Sequence, residues 1–163
     1  MYKMKMILDT DGVIKLTHAR VIDTVAHHET CLLTEEVYEE VLQGKKKVYE
    51  DAFIIEILIE EKKIKLLSIK RVSPPEGIGK GEWSCYIAFQ EKKGDLIVSD
   101  DKKFLSRLRQ EEIPFLIPSD IIVWLVKKNN LLIQEGFQAL DRIYEKISSE
   151  AYIEAQQQLE SAL

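Results

Sequence analysis

Met4–Leu16 reads MKMILDTDGVIKL. The apolar run from Met4 to Leu8 stops abruptly at Asp9, and a helical pattern begins two or three residues later. A short apolar run followed by helical spacing predicts a strand that feeds a helix, with a turn through Gly12. Asp9 then stands at the C-terminal tip of the strand. Open α/β sheets bind ligands in the crevice beyond the carboxyl ends of their strands. One acid at such a place is weak information, and its weight depends on whether other segments bring carboxylates to the same end.

Outward from this stretch, the strand–helix unit recurs. Val13, Ile14, Leu16, Val21, Ile22 and Val25 predict a helix from about Gly12 to His27. Cys31-Leu32-Leu33 reads as a second strand. Thr34, followed by Glu35 and Glu36, is an N-cap with acids in the first turn. The helix it opens carries Val37, Tyr38, Val41 and Leu42 on one face and ends at Gly44. Tyr49 to Glu61 reads as another helix, with Phe53, Ile54, Ile57 and Leu58 turned inward. Ile64, Leu66 and Leu67 suggest a third strand, and Val72-Ser73-Pro74-Pro75-Glu76-Gly77 is a loop loosened by Gly77, Gly79 and Gly81.

A helix over about Lys80 to Lys92 comes next, then the strand Leu96-Ile97-Val98, which runs into Ser99-Asp100-Asp101. Phe104, Leu105 and Leu108 mark a helix, Phe115-Leu116-Ile117 a strand, and Ile121 to Val126 a strongly apolar helix. Leu131 to Leu163 reads as two amphipathic helices, with Phe137, Leu140, Ile143 and Tyr144 on the first and Tyr152, Ile153 and Leu159 on the second. This alternation predicts an α/β fold with a parallel sheet of four or five strands flanked by helices. Residues 1–128 form the α/β domain in this reading, and 129–163 a C-terminal helical extension packed on it.

At 163 residues the chain is long enough to bury a core as one domain. A hydrophobic share of 45% and a charged share of 31% exclude a disordered segment. The net charge of −5 argues against a generic basic nucleic-acid footprint. It does not exclude an enzyme acting on RNA, because metal ions supply positive charge at an acidic site. Cys31 and Cys85 sit singly inside apolar patterns, as buried reduced thiols do. No run approaches the ~18 apolar residues of a membrane helix, so a cytoplasmic protein with no membrane partner is expected. His18, His27 and His28 fit no zinc spacing. Lys45-Lys46-Lys47 reads as a solvated helix end, with phosphate binding the alternative.

Four carboxylates stand out by position. Asp9 ends the first strand. Glu40 lies between Val37 and Val41, at the edge of a buried helix face. Glu82 opens the helix whose inward stripe is read as Cys85, Tyr86 and Phe89. Asp101 precedes Phe104 and Leu105 just after a buried strand. Singly, Asp100 or Asp101 could be a helix cap and Glu82 a first-turn acid. Together they are harder to explain that way, since acids buried near one another are costly without cations or hydrogen bonds. Three or four oxygen-only ligands suit a hard divalent ion, Mg²⁺ or Mn²⁺.

With these residues in view, the chain resembles PIN-domain proteins, a small metal-dependent nuclease fold found in toxin ribonucleases and RNA-processing nucleases. The resemblance is carried by ILDTDGVIKL, LLTEEVYEEVLQG and GEWSCYIAFQEKKGDLIVSDDKKFL, and the ending GFQALDRIYEKISSEAYIEAQQQLE is similar to that of a toxin-type prokaryotic branch. It implies a three-layer α/β/α architecture and two-metal hydrolysis of RNA phosphodiesters with Mg²⁺ or Mn²⁺. It implies Asp9 as central ligand, Asp101 and Glu82 helping to hold the ions, and Glu40 holding the second ion or positioning it or a water. Consecutive acids leave Asp100 as an alternative to Asp101, and Glu39 to Glu40. Ser99, which falls where the family often has Thr or Ser, and Thr10 at the first acid are weak candidate substrate contacts. Lys102, Lys103, Arg107 and Arg109 are candidate phosphate contacts. An antitoxin protein and a second copy are implied partners, with the Ile121–Val126 helix and the tail as candidate dimer surface.

Asp9-Thr10-Asp11-Gly12-Val13 also resembles the opening motif of haloacid-dehalogenase-like phosphatases. There Asp9 would be the nucleophile and Asp11 the general acid, with Ser68, Lys80 and Asp100 or Asp101 completing the set. That reading leaves Glu40 and Glu82 unexplained. A third reading is a PIN-like module that binds RNA or protein without cutting.

Overall fold

In the computed structural model, which describes residues 2–46 and 50–163 and leaves out the side chains of 45 and 46, five parallel strands form the centre of the molecule. They are β1 (Lys5–Leu8), β2 (Thr30–Thr34), β3 (Ile64–Leu67), β4 (Leu96–Val98) and β5 (Phe115–Leu116), in the spatial order β3-β2-β1-β4-β5. Met6 to Leu8, Cys31 to Thr34 and Leu96 to Val98 are all buried, as expected where helices cover both faces of a parallel sheet. The chain steps outward from β1 through β2 to β3, then crosses back to lay β4 on the other side of β1. That reversal opens a crevice at the carboxyl ends of β1 and β4.

The helices are α1 (Thr10–His18), α2 (Ile22–His28), α3 (Glu35–Lys46), α4 (Glu50–Glu60), α5 (Lys80–Gln90), α6 (Lys102–Gln110), α7 (Pro118–Lys127), α8 (Ile133–Ile143) and α9 (Ser149–Glu160). With the sheet they make a three-layer α/β/α fold. α8 and α9 pack on α7, whose Ile121, Ile122, Val123, Leu125 and Val126 are buried. Gly136 permits this closeness, because a Cβ there would come within 2.7 Å of Val126 Cγ2. Those apolar side chains of α7, read from sequence as a dimer surface, are therefore taken up within the chain. Among the described residues no helix is long and apolar enough to cross a membrane.

Several local expectations need correction. The helix expected over Gly12 to His27 is two helices, because Arg20 takes a left-handed conformation (φ 63°). The Arg20 and Val21 amides bond back to the Thr17 and Leu16 carbonyls, closing α1 in the manner of a Schellman turn. Arginine occupies the position where glycine is usual, so no breaker residue announces the end. α3 continues two residues past Gly44. On α4 the buried residues are Ala52, Ile55 and Leu58, while Phe53, Ile54 and Ile57 are exposed. Tyr144 and Ile153, expected on inward stripes, are also exposed, Tyr144 falling in a 3-10 turn after α8. The side chains of Lys45-Lys46-Lys47, and Tyr49, lie outside the described residues.

Candidate active site

Asp9 leaves β1 extended and caps α1, its Oδ1 accepting a 2.6 Å hydrogen bond from the Gly12 amide. The Asp9 amide donates to the Val98 carbonyl at 3.0 Å, tying the start of α1 to the end of β4. Gly12 is required by this closeness, since a Cβ there would lie 2.6 Å from the same carbonyl oxygen. Asp101 repeats the arrangement after β4. It caps α6 through a 2.8 Å bond from the Phe104 amide to Oδ1, and its own amide donates to the buried Ser99 hydroxyl oxygen at 3.2 Å.

Two helices bring in the remaining acids. Thr34 caps α3 by accepting from the Val37 amide at 3.1 Å, and its hydroxyl meets Ser84 of α5 at 2.6 Å, which locks the two helices together. Glu40 then reaches α5, where Oε1 accepts from the Gly81 amide at 2.8 Å. Its Oε2 accepts from the Thr10 hydroxyl at 2.7 Å. Glu82, in the first turn of α5, accepts from the Gly79 amide at 3.1 Å through Oε1. The core-facing stripe of α5 is Gly81, Ser84, Cys85 and Ala88, so Tyr86 and Phe89 are only half-buried and Glu82 sits at its edge.

Asp9, Glu40, Glu82 and Asp101 line one pocket of about 220 Å³, with Thr10, Asp11 and Gly79. Asp9 Oδ2 and Glu82 Oε2 are buried and have no hydrogen-bond partner among the described residues. Burial pushes the Asp9 carboxyl up to about 8, against the pull of Ser99 and the Gly12 amide, and the charges of Asp11 and Glu82 add to the rise. Glu82 is pushed up to about 7, first by burial and then by Asp101 and Glu40, against the Gly79 amide. A carboxylate only accepts hydrogen bonds, so neighbouring ionised acids do not satisfy one another. The pocket thus carries negative charge that protons or a cation must offset.

Among the described residues no three His, Cys, Asp or Glu side chains stand in ready-made metal-ligand geometry. The donor set nonetheless fits a hard divalent ion. Every donor is an oxygen, and the two unpartnered buried oxygens are the atoms such an ion ligates.

The neighbouring acids face elsewhere. Asp100 accepts from Lys15 Nζ at 2.6 Å, and Glu39 from Arg71 at 2.8 Å, so neither lines the pocket. Ser99 is fully buried, and its hydroxyl oxygen accepts from the Asp101 amide. Lys102 is exposed at the start of α6, and the Lys103 ammonium lies against Gly77. The phosphatase set does not assemble. Ser68 lines a crevice with Glu35, Tyr38 and Glu39, Lys80 lines another with Glu36 and Arg71, and neither shares the pocket of Asp9. His18 stands 3.1 Å from Asp51, and His27 and His28 end α2.

Gly79 and Gly81 belong to the wall, where the sequence alone suggests only loop flexibility. Their spacing ahead of Glu82 was the available signal, because a helix start with small residues admits close approach of another side chain.

No curated protein matches the chain. A family model described as a PIN domain matches residues 5–161, a span that runs from β1 through α9 and includes every acid of the pocket. The acid-lined crevice at the sheet's reversal is thus part of the matched framework, and the chain belongs to the PIN-domain family.

Proposed function

We propose that the protein is a Mg²⁺- or Mn²⁺-dependent endoribonuclease that hydrolyses RNA phosphodiester bonds at the pocket of Asp9, Glu40, Glu82 and Asp101. The observation that carries this reading is the pair of buried, unpartnered carboxylate oxygens, Asp9 Oδ2 and Glu82 Oε2, in a pocket with two further acids. PIN domains are generally nucleases that use these metals. Divalent metal bound here would supply activation of water and stabilisation of the leaving oxygen in an in-line displacement.

The chain's own residues do the rest. Asp9 and Glu82 offer their unpartnered oxygens as ligands, and Asp101 presents its second oxygen from a capped, fixed side chain. Glu40 is held on both oxygens by Gly81 and Thr10, so it orients what binds between α3 and α5. Lys102 and Lys103, at the start of α6, are suited to contact the phosphates of an RNA strand.

The decisive experiment incubates purified protein with single-stranded RNA and Mn²⁺ or Mg²⁺. Cleavage that chelator abolishes, and that Asp9→Asn loses while keeping its circular dichroism spectrum, is the expected result. Undiminished cleavage by folded Asp9→Asn would refute the assignment. Metal-independent RNA binding without cleavage would instead support a non-cutting module. A toxin role, drawn from the resemblance to toxin-type members, predicts growth arrest on expression that Asp9→Asn relieves and that a cognate antitoxin suppresses. A homodimer is supported by the exposed Ile54 and Ile57 on α4, and sedimentation tests it.

A further inference from the structure

The residue after Glu82 on α5 is Trp83, and its ring lies flat against that of Tyr86, with centroids 4.3 Å apart and planes 11° from parallel. Arg107 of α6 brings its guanidinium carbon to 5.0 Å from the Trp83 ring centroid and 5.7 Å from that of Tyr86. None of the three belongs to the core-facing stripe of α5, which is made of small residues, and both rings stay half-buried. The Trp83 indole N–H is buried without a hydrogen-bond partner among the described residues, whereas the outer edge of the stack is tied to α6. The Tyr86 hydroxyl donates to Glu111 at 2.6 Å, and Arg107 Nε stands 3.0 Å from the same carboxylate. The result is a pre-set stack of two aromatic rings with a cation at its flank.

This stack adjoins the acid pocket along both helices. On α5, Trp83 directly follows the pocket residue Glu82. On α6, Arg107 lies six residues beyond the pocket residue Asp101, about 9 Å at the helical rise. Lys103 lies one turn earlier on the same face of α6 as Arg107, with its ammonium against Gly77 of the loop before α5. That separation is about two to three steps of a stacked strand at ~3.4 Å each. Flat aromatic faces with a guanidinium beside them recognise unpaired bases, because every base has a π face and stacking tolerates sequence. Paired bases inside a duplex are already stacked and do not reach such a surface.

We infer that Trp83, Tyr86 and Arg107 form a nucleobase subsite, holding an unpaired base of an RNA strand a few nucleotides from the bond at the acid pocket. The identity of the ligand rests on the nuclease reading above. The subsite gives affinity that the overall acidic charge does not.

The test uses the full chain with Trp124→Phe, which leaves Trp83 as the reporter, and with Asp9→Asn to keep the RNA intact. Oligoadenylate is titrated against a sugar-phosphate chain of the same length without bases. The expected result is quenching of Trp83 emission by oligoadenylate, with the abasic chain at least about five-fold weaker and causing no quenching. Trp83→Leu is expected to lose about the same factor for labelled oligoadenylate by fluorescence anisotropy. Equal affinity for the two chains without quenching, or no binding of either, would overturn the subsite. Wild-type cleavage is scored separately. Cleavage without base-dependent binding sinks the subsite alone, and base-dependent quenching without cleavage sinks the nuclease reading while the subsite stands.

Discussion

Glu40 Oε1 accepts a 2.8 Å hydrogen bond from the Gly81 amide, joining residues 41 positions apart on α3 and α5. The bond fixes the pocket wall and depends on glycine, since a Cβ at position 81 would stand 2.4 Å from Glu40 Oε1. Gly81→Ala is therefore expected to push the Glu40 carboxylate out of place. Alanine raises helix propensity by up to about 1 kcal/mol, which offsets part of the strain. Activity should fall about ten-fold or more, as for displaced positioning groups generally, while the melting temperature changes little. Parallel kinetics and thermal melts check this, and a large loss of stability with normal turnover would contradict it.

Gly12 faces backbone instead of a flexible side chain. A methyl group there would meet the Val98 carbonyl oxygen, and neither β4 nor the start of α1 can yield without breaking the Asp9–Val98 bond. Overpacking of this kind costs about 1–3 kcal/mol, more than the helix-propensity gain of alanine. Gly12→Ala is expected to lower stability by about 1–2 kcal/mol. Urea denaturation of the metal-free protein gives the value, and unchanged stability would mean that the two elements separate more easily than their hydrogen bond suggests.

The Asp9 carboxyl is raised to about 8 in the fold against 3.8 for an unperturbed aspartate. The folded chain thus holds this proton more tightly than the unfolded chain. Below about pH 4 both states are protonated and the group contributes nothing. As pH rises from there to about 8, unfolding releases the proton and stability falls. Asp9→Asn removes the penalty, so in chelator the variant should be more stable than wild type at pH 8, with the gap closing by pH 4. A gain of about 2 kcal/mol raises the melting temperature of a chain this size by roughly 4–8 °C. Equal melting points at pH 8 would show that the ionised carboxylate is well solvated.

The same shifts govern metal binding. At pH 6.5 Asp9, raised to about 8, and Glu82, raised to about 7, are mostly protonated, and ligation requires them to be charged. Mn²⁺ binding should release roughly one to two protons at pH 6.5, fewer at pH 8.5, and should tighten across that range. Calorimetry in buffers of different ionisation heats counts the protons directly. Binding with no proton release at pH 6.5 would place the ion away from these two acids.

Some of this was legible in the sequence, and the reasons for the rest are physical. β1, β2 and β4 are buried on both faces, so they read as continuous apolar runs, and Thr34 and Asp101 announce the helices they cap. The break at Arg20 was invisible because a non-glycine residue takes the left-handed turn. The facing of α4 was invisible because AFIIEILI, Ala52 to Ile59, is apolar nearly all round, and periodicity cannot choose a side. Asp9 and Asp101 could be placed from their strands. Choosing Glu40 over Glu39 depends on contacts with Thr10 and Gly81 that lie far off in the chain. In sequence Glu82 shares a stripe with Cys85, Tyr86 and Phe89, yet only Cys85 of these is buried.

Asp100 and Asp101 are adjacent in sequence and opposite in role. Asp101 lines the pocket and caps α6, whereas Asp100 turns to Lys15, which also stands 3.7 Å from Asp11. Asparagine is as good a helix cap as aspartate, so Asp101→Asn should keep stability within about 1 kcal/mol. It should lose cleavage by about a hundred-fold or more, as for removal of a group acting at the charged transition state. Asp100→Asn leaves the Lys15 ammonium poorly compensated. Breaking a fully buried pair costs about 3–5 kcal/mol, but both side chains keep 13–15% exposure and Asp11 remains near, so a loss of about 1–2 kcal/mol is expected. Cleavage should persist in that variant. Urea denaturation and RNA cleavage measured on the two proteins side by side separate the roles, and a stable, inactive Asp100→Asn beside an active Asp101→Asn would exchange them.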